Sequence, residues 1–161
     1  MTYDPAALFK ELGQRGIEYV LIGGWAVNAH GYRRFTGDVD ICPAPNAENL
    51  ARIAELVRAL DGRQLGLGEF SEQELPGDPT DPDSLGEGGN FRLSTRLGIL
   101  DLMQWVAGID ADHAYAELAR DAVDADLDGT VVRVCSLDRL LEMKRAAGRP
   151  QDIQDVAMLE P

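Results

Sequence analysis

The chain has 161 residues, 45% of them hydrophobic, with 28 Asp and Glu against 15 Lys and Arg and a formal charge of −13. That length fits one domain with one sizeable core. The acid surplus excludes a general DNA-binding role, because non-specific affinity for nucleic acid comes from Lys and Arg neutralising phosphates.

A local basic patch for RNA, a cationic small substrate or a basic partner protein are all compatible with this charge, and so is the plain reading of a solubilising surface. No apolar run approaches the ~20 residues of a membrane span, and no secretory leader precedes Asp4, so a cytoplasmic location without membrane contact is expected. Cys42 and Cys135 lie in no CxxC or Cys/His cluster. They read as two buried thiols rather than zinc ligands or a disulfide.

In chain order, residues 5–15 predict a helix with Ala6, Leu8, Phe9 and Leu12 on its apolar side, Asp4 as its cap and Gly13 and Gly16 at its end. Residues 17–22 are an apolar strand broken only by Glu18. Gly23 and Gly24 turn the chain into a short helix over residues 24–30, stopped by Gly31. Residues 39–42 form a second strand closed by Pro43 and Pro45. Asn46 caps a long amphipathic helix reaching about residue 60, with Leu50, Ile53, Leu56, Val57 and Leu60 on one side.

From about residue 62 to 90 the pattern dissolves into Gly, Pro and Asp, and a loop this long reads as a mobile lid or an insertion. It is not a domain boundary, because the fold is incomplete before it. Residues 91–96 and 99–106, joined by Leu97 and Gly98, predict a β-hairpin. Residues 110–119 predict a short helix, and residues 131–135 a last strand after the Asp128-Gly129 turn. Ser136 caps a helix over residues 137–147, and Pro150 opens the final one over residues 151–159. The sum is an α/β (α+β) chain, a mixed β-sheet flanked by helices, with residues 1–161 forming a single domain.

Four features carry chemistry. In a strand, side chains alternate faces, so Asp38 and Asp40 share one face while Val39 and Ile41 point to the core. Two neighbouring carboxylates repel unless a divalent cation lies between them; the plain alternative is an exposed acid pair on an edge strand. The Gly23-Gly24 turn places backbone N–H groups at a helix start, where phosphate binds well, although a tight strand-to-helix turn explains it too. Asp101 is the one acid in an apolar stretch, and a buried carboxylate without purpose costs several kcal/mol. It needs a metal or a cation beside it, and Arg92 or Arg96 across the hairpin would also serve. Asp152 and Asp155 lie three apart on a helix and share a face, a pattern that a surface salt-bridge set also produces. His30 and His113 are isolated and receive no role, and Trp25 reads as core packing or as a contact for a base. The GxGxxG of dinucleotide folds is absent.

The stretch Leu21-Ile22-Gly23-Gly24-Trp25-Ala26, followed by Gly37-Asp38-Val39-Asp40-Ile41, resembles the nucleotidyltransferase superfamily. Its signature is a hydrophobic-Gly-Gly or Gly-Ser turn, a short helix and Asp-x-Asp. The chain looks like the small bacterial branch around the AbiEii-type toxins of toxin–antitoxin systems, and its opening is shared with aminoglycoside nucleotidyltransferases. Arg34 and Thr36 match the Arg-x-Thr-x-Asp-x-Asp form common in this branch. The block from Ser136 through Lys144 and on to Arg149, Asp152 and Asp155 is similar to its Leu-x-x-Leu-x-x-x-Lys … Arg-x-x-Asp-x-x-Asp segment.

The resemblance implies the nucleotidyltransferase fold and transfer of a nucleoside monophosphate from an NTP to a hydroxyl of tRNA, a protein or a cationic small molecule. It implies two Mg²⁺ ions roughly 3.5–4 Å apart on Asp38, Asp40 and Asp101, with Mn²⁺ able to substitute. Asp101 would accept the hydroxyl proton. Gly23 and Gly24 would admit the phosphates, and Arg34 and Thr36 would hold phosphate or brace the loop. Lys144 would face the triphosphate, oriented, like Arg149, by Asp152 or Asp155. Gly24 departs from relatives that carry Ser there and lacks its hydroxyl. The extra helical region of full AbiEii-like toxins has no counterpart in this chain, which raises the alternative of a non-catalytic antitoxin or partner module that binds a basic protein. The other alternative is an aminoglycoside-type small-molecule enzyme.

Overall fold

The computed structural model describes residues 2–65, 77–110 and 113–160. Its centre is a mixed seven-stranded sheet with strand order β3-β4-β5-β2-β1-β7-β6. The strands are β1 (Tyr19–Ile22), β2 (Asp38–Pro43), β3 (Arg63–Gln64), β4 (Asn90–Thr95), β5 (Gly98–Met103), β6 (Val123–Leu127) and β7 (Thr130–Val134). β1 lies mid-sheet and every one of its residues is buried, which is why it reads as a continuous apolar run. β2 alternates at its start, with Asp38 and Asp40 partly exposed and Val39 and Ile41 buried.

The register sets the site. β2 pairs parallel with β5, placing Asp40 beside Asp101; β5 pairs antiparallel with β4, placing Asp101 beside Arg92; β1 pairs antiparallel with β2, placing Ile22 beside Asp40. Ile22, Asp40, Asp101 and Arg92 therefore form one row across four strands, and side chains paired in this way share a face.

The helices are α1 (Pro5–Gln14), α2 (Gly23–Ala29), α3 (Ala47–Ala59), α4 (Pro82–Gly86), α5 (Tyr115–Arg120), α6 (Leu137–Ala147) and α7 (Pro150–Leu159). Their ends are chemically marked. The Asp4 side chain accepts from the Ala7 N–H, Asn46 from the Asn49 N–H and Ser136 from the Arg139 N–H. Gly148, at φ 63°, ends α6 in the left-handed conformation, and Pro150 opens α7.

Three elements lie outside the sequence expectation. β3 and α4 fall within the stretch read as a loop at 62–90: α4 is a short helix capped by Asp81 and anchored by buried Leu85. The part of that expected lid at residues 66–76 lies outside the described residues. β6 went unread because Asp124 and Asp126 sit on an edge strand with little burial, so hydrophobic alternation is weak. The helix expected over residues 110–119 begins only at Tyr115 and ends at Arg120.

Cys42 and Cys135 are buried free thiols, and burial pushes both up to about 12. Trp25 is partly buried, edge-on to Phe9, and donates to the Tyr3 hydroxyl at 3.3 Å. Among the described residues no helix is long and apolar enough to cross a membrane.

Candidate active site

Asp38, Asp40 and Asp101 converge. One carboxylate oxygen from each lies within 4.8 Å of the others, and Asp101 is only 7% exposed. The acids come from two strands paired in parallel, and the one-residue spacing on β2 puts two of them on the face that Asp101 shares.

The glycine turn is built against these acids. Gly23 has φ +70°, and a Cβ there would lie 2.0 Å from Asp40 Oδ2. A Cβ on Gly24 would lie 2.4 Å from Thr36 Oγ1. A serine at position 24 would thus begin where the Thr36 hydroxyl already sits. The first demand on both glycines is steric, from the carboxylate and the hydroxyl facing them.

Arg92 on β4 closes the cluster from the other side. Its Nη1 donates to Asp38 Oδ2 at 3.0 Å and to Asp101 Oδ2 at 2.8 Å. Even so, burial raises the Asp101 pKa well above the usual carboxylate range, and the neighbouring Asp40 carboxyl adds to the rise; the Arg92 charge opposes it only in part. Burial also raises Asp40, against the hydrogen bond from Asp101. Both carboxyls are pushed the same way, by burial first and by a neighbouring acid as well.

A second polar network lies behind the first. Lys144 on α6 is buried, and its Nζ donates to Asp152 Oδ1 and Asp155 Oδ2, each at 2.9 Å. Arg34 grips Asp155 with both arms of its fork, at 2.7 and 2.8 Å. Arg149 Nε donates to Asp152 Oδ2 at 2.7 Å. Burial alone would raise Asp152 and Asp155, but these cationic donors outweigh it and hold both below the ordinary value. Arg34 also donates to the Phe35 carbonyl, its N–H is bound by Asn28 Oδ1, and Thr36 Oγ1 donates to the Asp38 carbonyl at 3.2 Å. α7 therefore holds the segment that leads into β2.

A cavity of about 440 Å³ opens over the carboxylates. Its lining is mixed: Gly23, Asp38, Asp40, Arg92, Asp101 and Lys144 are among its polar residues, and Phe91, Met103, Val106, Leu140 and Met143 among its apolar ones. This is the size and mixture of a small-molecule site. Arg149 and Asp152 also border it, whereas Gly24, Arg34, Thr36 and Asp155 do not line it. Sequence reasoning named Arg92 only as an ion-pair partner and gave the apolar wall no part. The signal for Arg92 was its place in a strand facing Asp101. The wall comes from residues spread over three segments, and no local pattern links them.

The donor set suits a hard divalent cation: three carboxylates, one buried, converging on one point. The residues present fit Mg²⁺ or Mn²⁺.

No protein-family model and no curated protein matches the sequence. Solved structures do. The crystal structure of ANT(2″)-Ia in complex with adenylyl-2″-tobramycin is similar at a TM-score of 0.56 and 19% identity, over 93% of this chain and 82% of that one. The solution structure of the antibiotic-resistance factor ANT(2″)-Ia gives 0.56 and 18%, over 93% and 77%. The lincosamide antibiotic adenylyltransferase LnuA, lincomycin-bound, gives 0.63 and 14%, over 96% and 93%. Together with the mixed sheet and its flanking helices, this likeness shows that the chain has the nucleotidyltransferase fold.

Proposed function

We propose that the chain is a metal-dependent nucleotidyltransferase, working as one domain, that moves a nucleoside monophosphate from an NTP to a hydroxyl of a small cationic acceptor. The observation that carries this reading is the convergence of Asp38, Asp40 and Asp101 in the lining of a 440 Å³ cavity. The similar proteins support the acceptor class: one is seen with adenylyl-2″-tobramycin, and another is a lincosamide adenylyltransferase with lincomycin. The acid surplus of the chain is compatible with a cationic guest.

Asp38, Asp40 and Asp101 would hold the cation, Mg²⁺ or Mn²⁺, which when bound lowers the pKa of an acceptor hydroxyl and offsets phosphate charge. With the cation held by these acids Asp101 would be ionised, and it would then take the hydroxyl proton at a carboxylate oxygen. Lys144 has three N–H donors and spends two on Asp152 and Asp155, so one is left for a phosphate oxygen in the cavity it lines. Gly23 borders the cavity and lets phosphate approach its backbone. Gly24, Arg34, Thr36 and Asp155 brace that turn from behind. The apolar wall takes the base or the acceptor body and excludes water.

The test is transfer of label from α-labelled ATP or GTP, with Mg²⁺, to tobramycin, lincomycin, tRNA or lysate protein. The expected product is a labelled small molecule, absent with Asp38→Asn/Asp40→Asn. Label on tRNA or protein would move the acceptor to the macromolecular class of the AbiEii-like resemblance. No label anywhere, with a basic protein co-purifying, would replace the enzyme reading by the partner-module reading.

A further inference from the structure

We propose that Arg92 is an exchangeable charge: it holds the Asp38 and Asp101 oxygens before nucleotide arrives and passes to the phosphates when NTP and its cation enter. This rests on the function proposed above and adds a residue to it.

Arg92 Nη1 touches oxygens of two carboxylates that belong to different strands, at 3.0 and 2.8 Å. These two acids belong to the cluster suited to a cation. A guanidinium and a divalent cation cannot both use those oxygens without strong repulsion. One of them has to yield, and Arg92 is built to do so. Its side chain is 48% exposed and borders the cavity, so it has room to turn. The other cations at the cavity hold no oxygen of the three-acid cluster: Lys144 is buried between Asp152 and Asp155, and Arg149, more exposed than Arg92, pairs with Asp152.

The destination is equally clear in chemical terms. A planar guanidinium fork suits phosphate, and a triphosphate brings the negative charge that Arg92 gives up when it leaves the carboxylates. Cation and nucleotide then bind cooperatively, because the nucleotide rewards the move that the cation requires. The arrangement also protects the fold, since Arg92 neutralises part of a buried acid cluster when no substrate is present.

The experiment is Mn²⁺ binding followed by electron paramagnetic resonance, with and without a non-hydrolysable ATP analogue, on the wild-type chain, Arg92→Gln, Arg92→Lys and Asp101→Asn. Without nucleotide, Arg92→Gln is expected to bind Mn²⁺ roughly five- to tenfold more tightly, the scale of losing two half-exposed charge pairs. At saturating Mn²⁺ it should bind the ATP analogue more weakly by a similar factor. Arg92→Lys keeps the charge and should stay near wild type in Mn²⁺ affinity. Equal Mn²⁺ affinity in wild type and Arg92→Gln overturns the proposal, and so does a Lys variant that tightens Mn²⁺ as much as Gln does. In both cases loss of Mn²⁺ in Asp101→Asn leaves the metal site standing. Unchanged Mn²⁺ binding in Asp101→Asn removes the metal site itself, and the proposal with it. Thermal melts of each variant verify that it is folded.

Discussion

A methyl group on Gly23 would sit 2.0 Å from Asp40 Oδ2, so the turn after β1 and the acid on β2 leave no room for a side chain between them. The glycine also holds φ +70°, a region that other residues enter at a cost. The Gly-Gly turn is therefore a condition for placing the carboxylate.

Gly23→Ala tests that fit. Asp40 has to move or the turn has to open, and a shift of about 1 Å at a reacting group can cost on the order of 10²-fold in rate. We expect a loss of that order in turnover, with stability lower by about 1–3 kcal/mol from strain at the turn. Steady-state kinetics and urea unfolding read the two effects separately.

Lys144→Met tests the second network. It leaves Asp152 and Asp155 buried with one fewer counter-charge. Breaking a buried pair by removing one partner typically costs about 3–5 kcal/mol. Arg34 and Arg149 still contact these acids, so the lower end of that range is expected. Denaturant midpoints measure it.

The same acids set an acid limb. Asp152 and Asp155 titrate below their ordinary value in the fold. A depressed carboxylate adds stability above the unfolded pKa of about 3.9, and that stability disappears as pH falls through the folded value. Stability should drop from about pH 4 downward, and Asp152→Asn/Asp155→Asn should flatten that limb while lowering stability at pH 7. Melting temperature against pH shows whether it does.

Asp40 and Asp101 have the opposite sign. Burial raises both, so the fold favours their protonated forms, and stability falls as pH rises from the unfolded pKa toward the folded one. Asp40→Asn removes one of these charges. In chelator at pH 8 it should melt higher than wild type, by roughly 0.5–2 kcal/mol, while activity is lost. A variant that melts lower in chelator would show that the ionised acid is not under strain.

Much of this was legible in the residues, and for physical reasons. The β1 run, the Gly-Gly turn and the Asp-x-Asp alternation are local patterns, and they placed Asp38 and Asp40 on one face. Asp101 stood out because a lone acid in an apolar strand demands a partner. Arg92 was visible only as one candidate counter-ion, since strand register, which places it beside Asp101, is set by pairing across the hairpin. The pairing of Lys144 with Asp152 or Asp155 came from the resemblance, since their spacing alone also fits surface salt bridges; their burial is a tertiary effect. β6 and α4 were missed because edge strands and one-turn helices carry little hydrophobic period. The cavity wall, gathered from β4, β5, the segment after β5 and α6, has no linear signature.

The most direct measurement is metal-dependent pyrophosphate release from NTP in the presence of acceptor, for wild type and Asp38→Asn/Asp40→Asn. The account predicts release that needs Mg²⁺ or Mn²⁺ and falls by at least roughly 10³-fold in the double variant, the scale of removing both electrostatic and positional help at the reacting phosphate. Release by the double variant at the wild-type rate would contradict it.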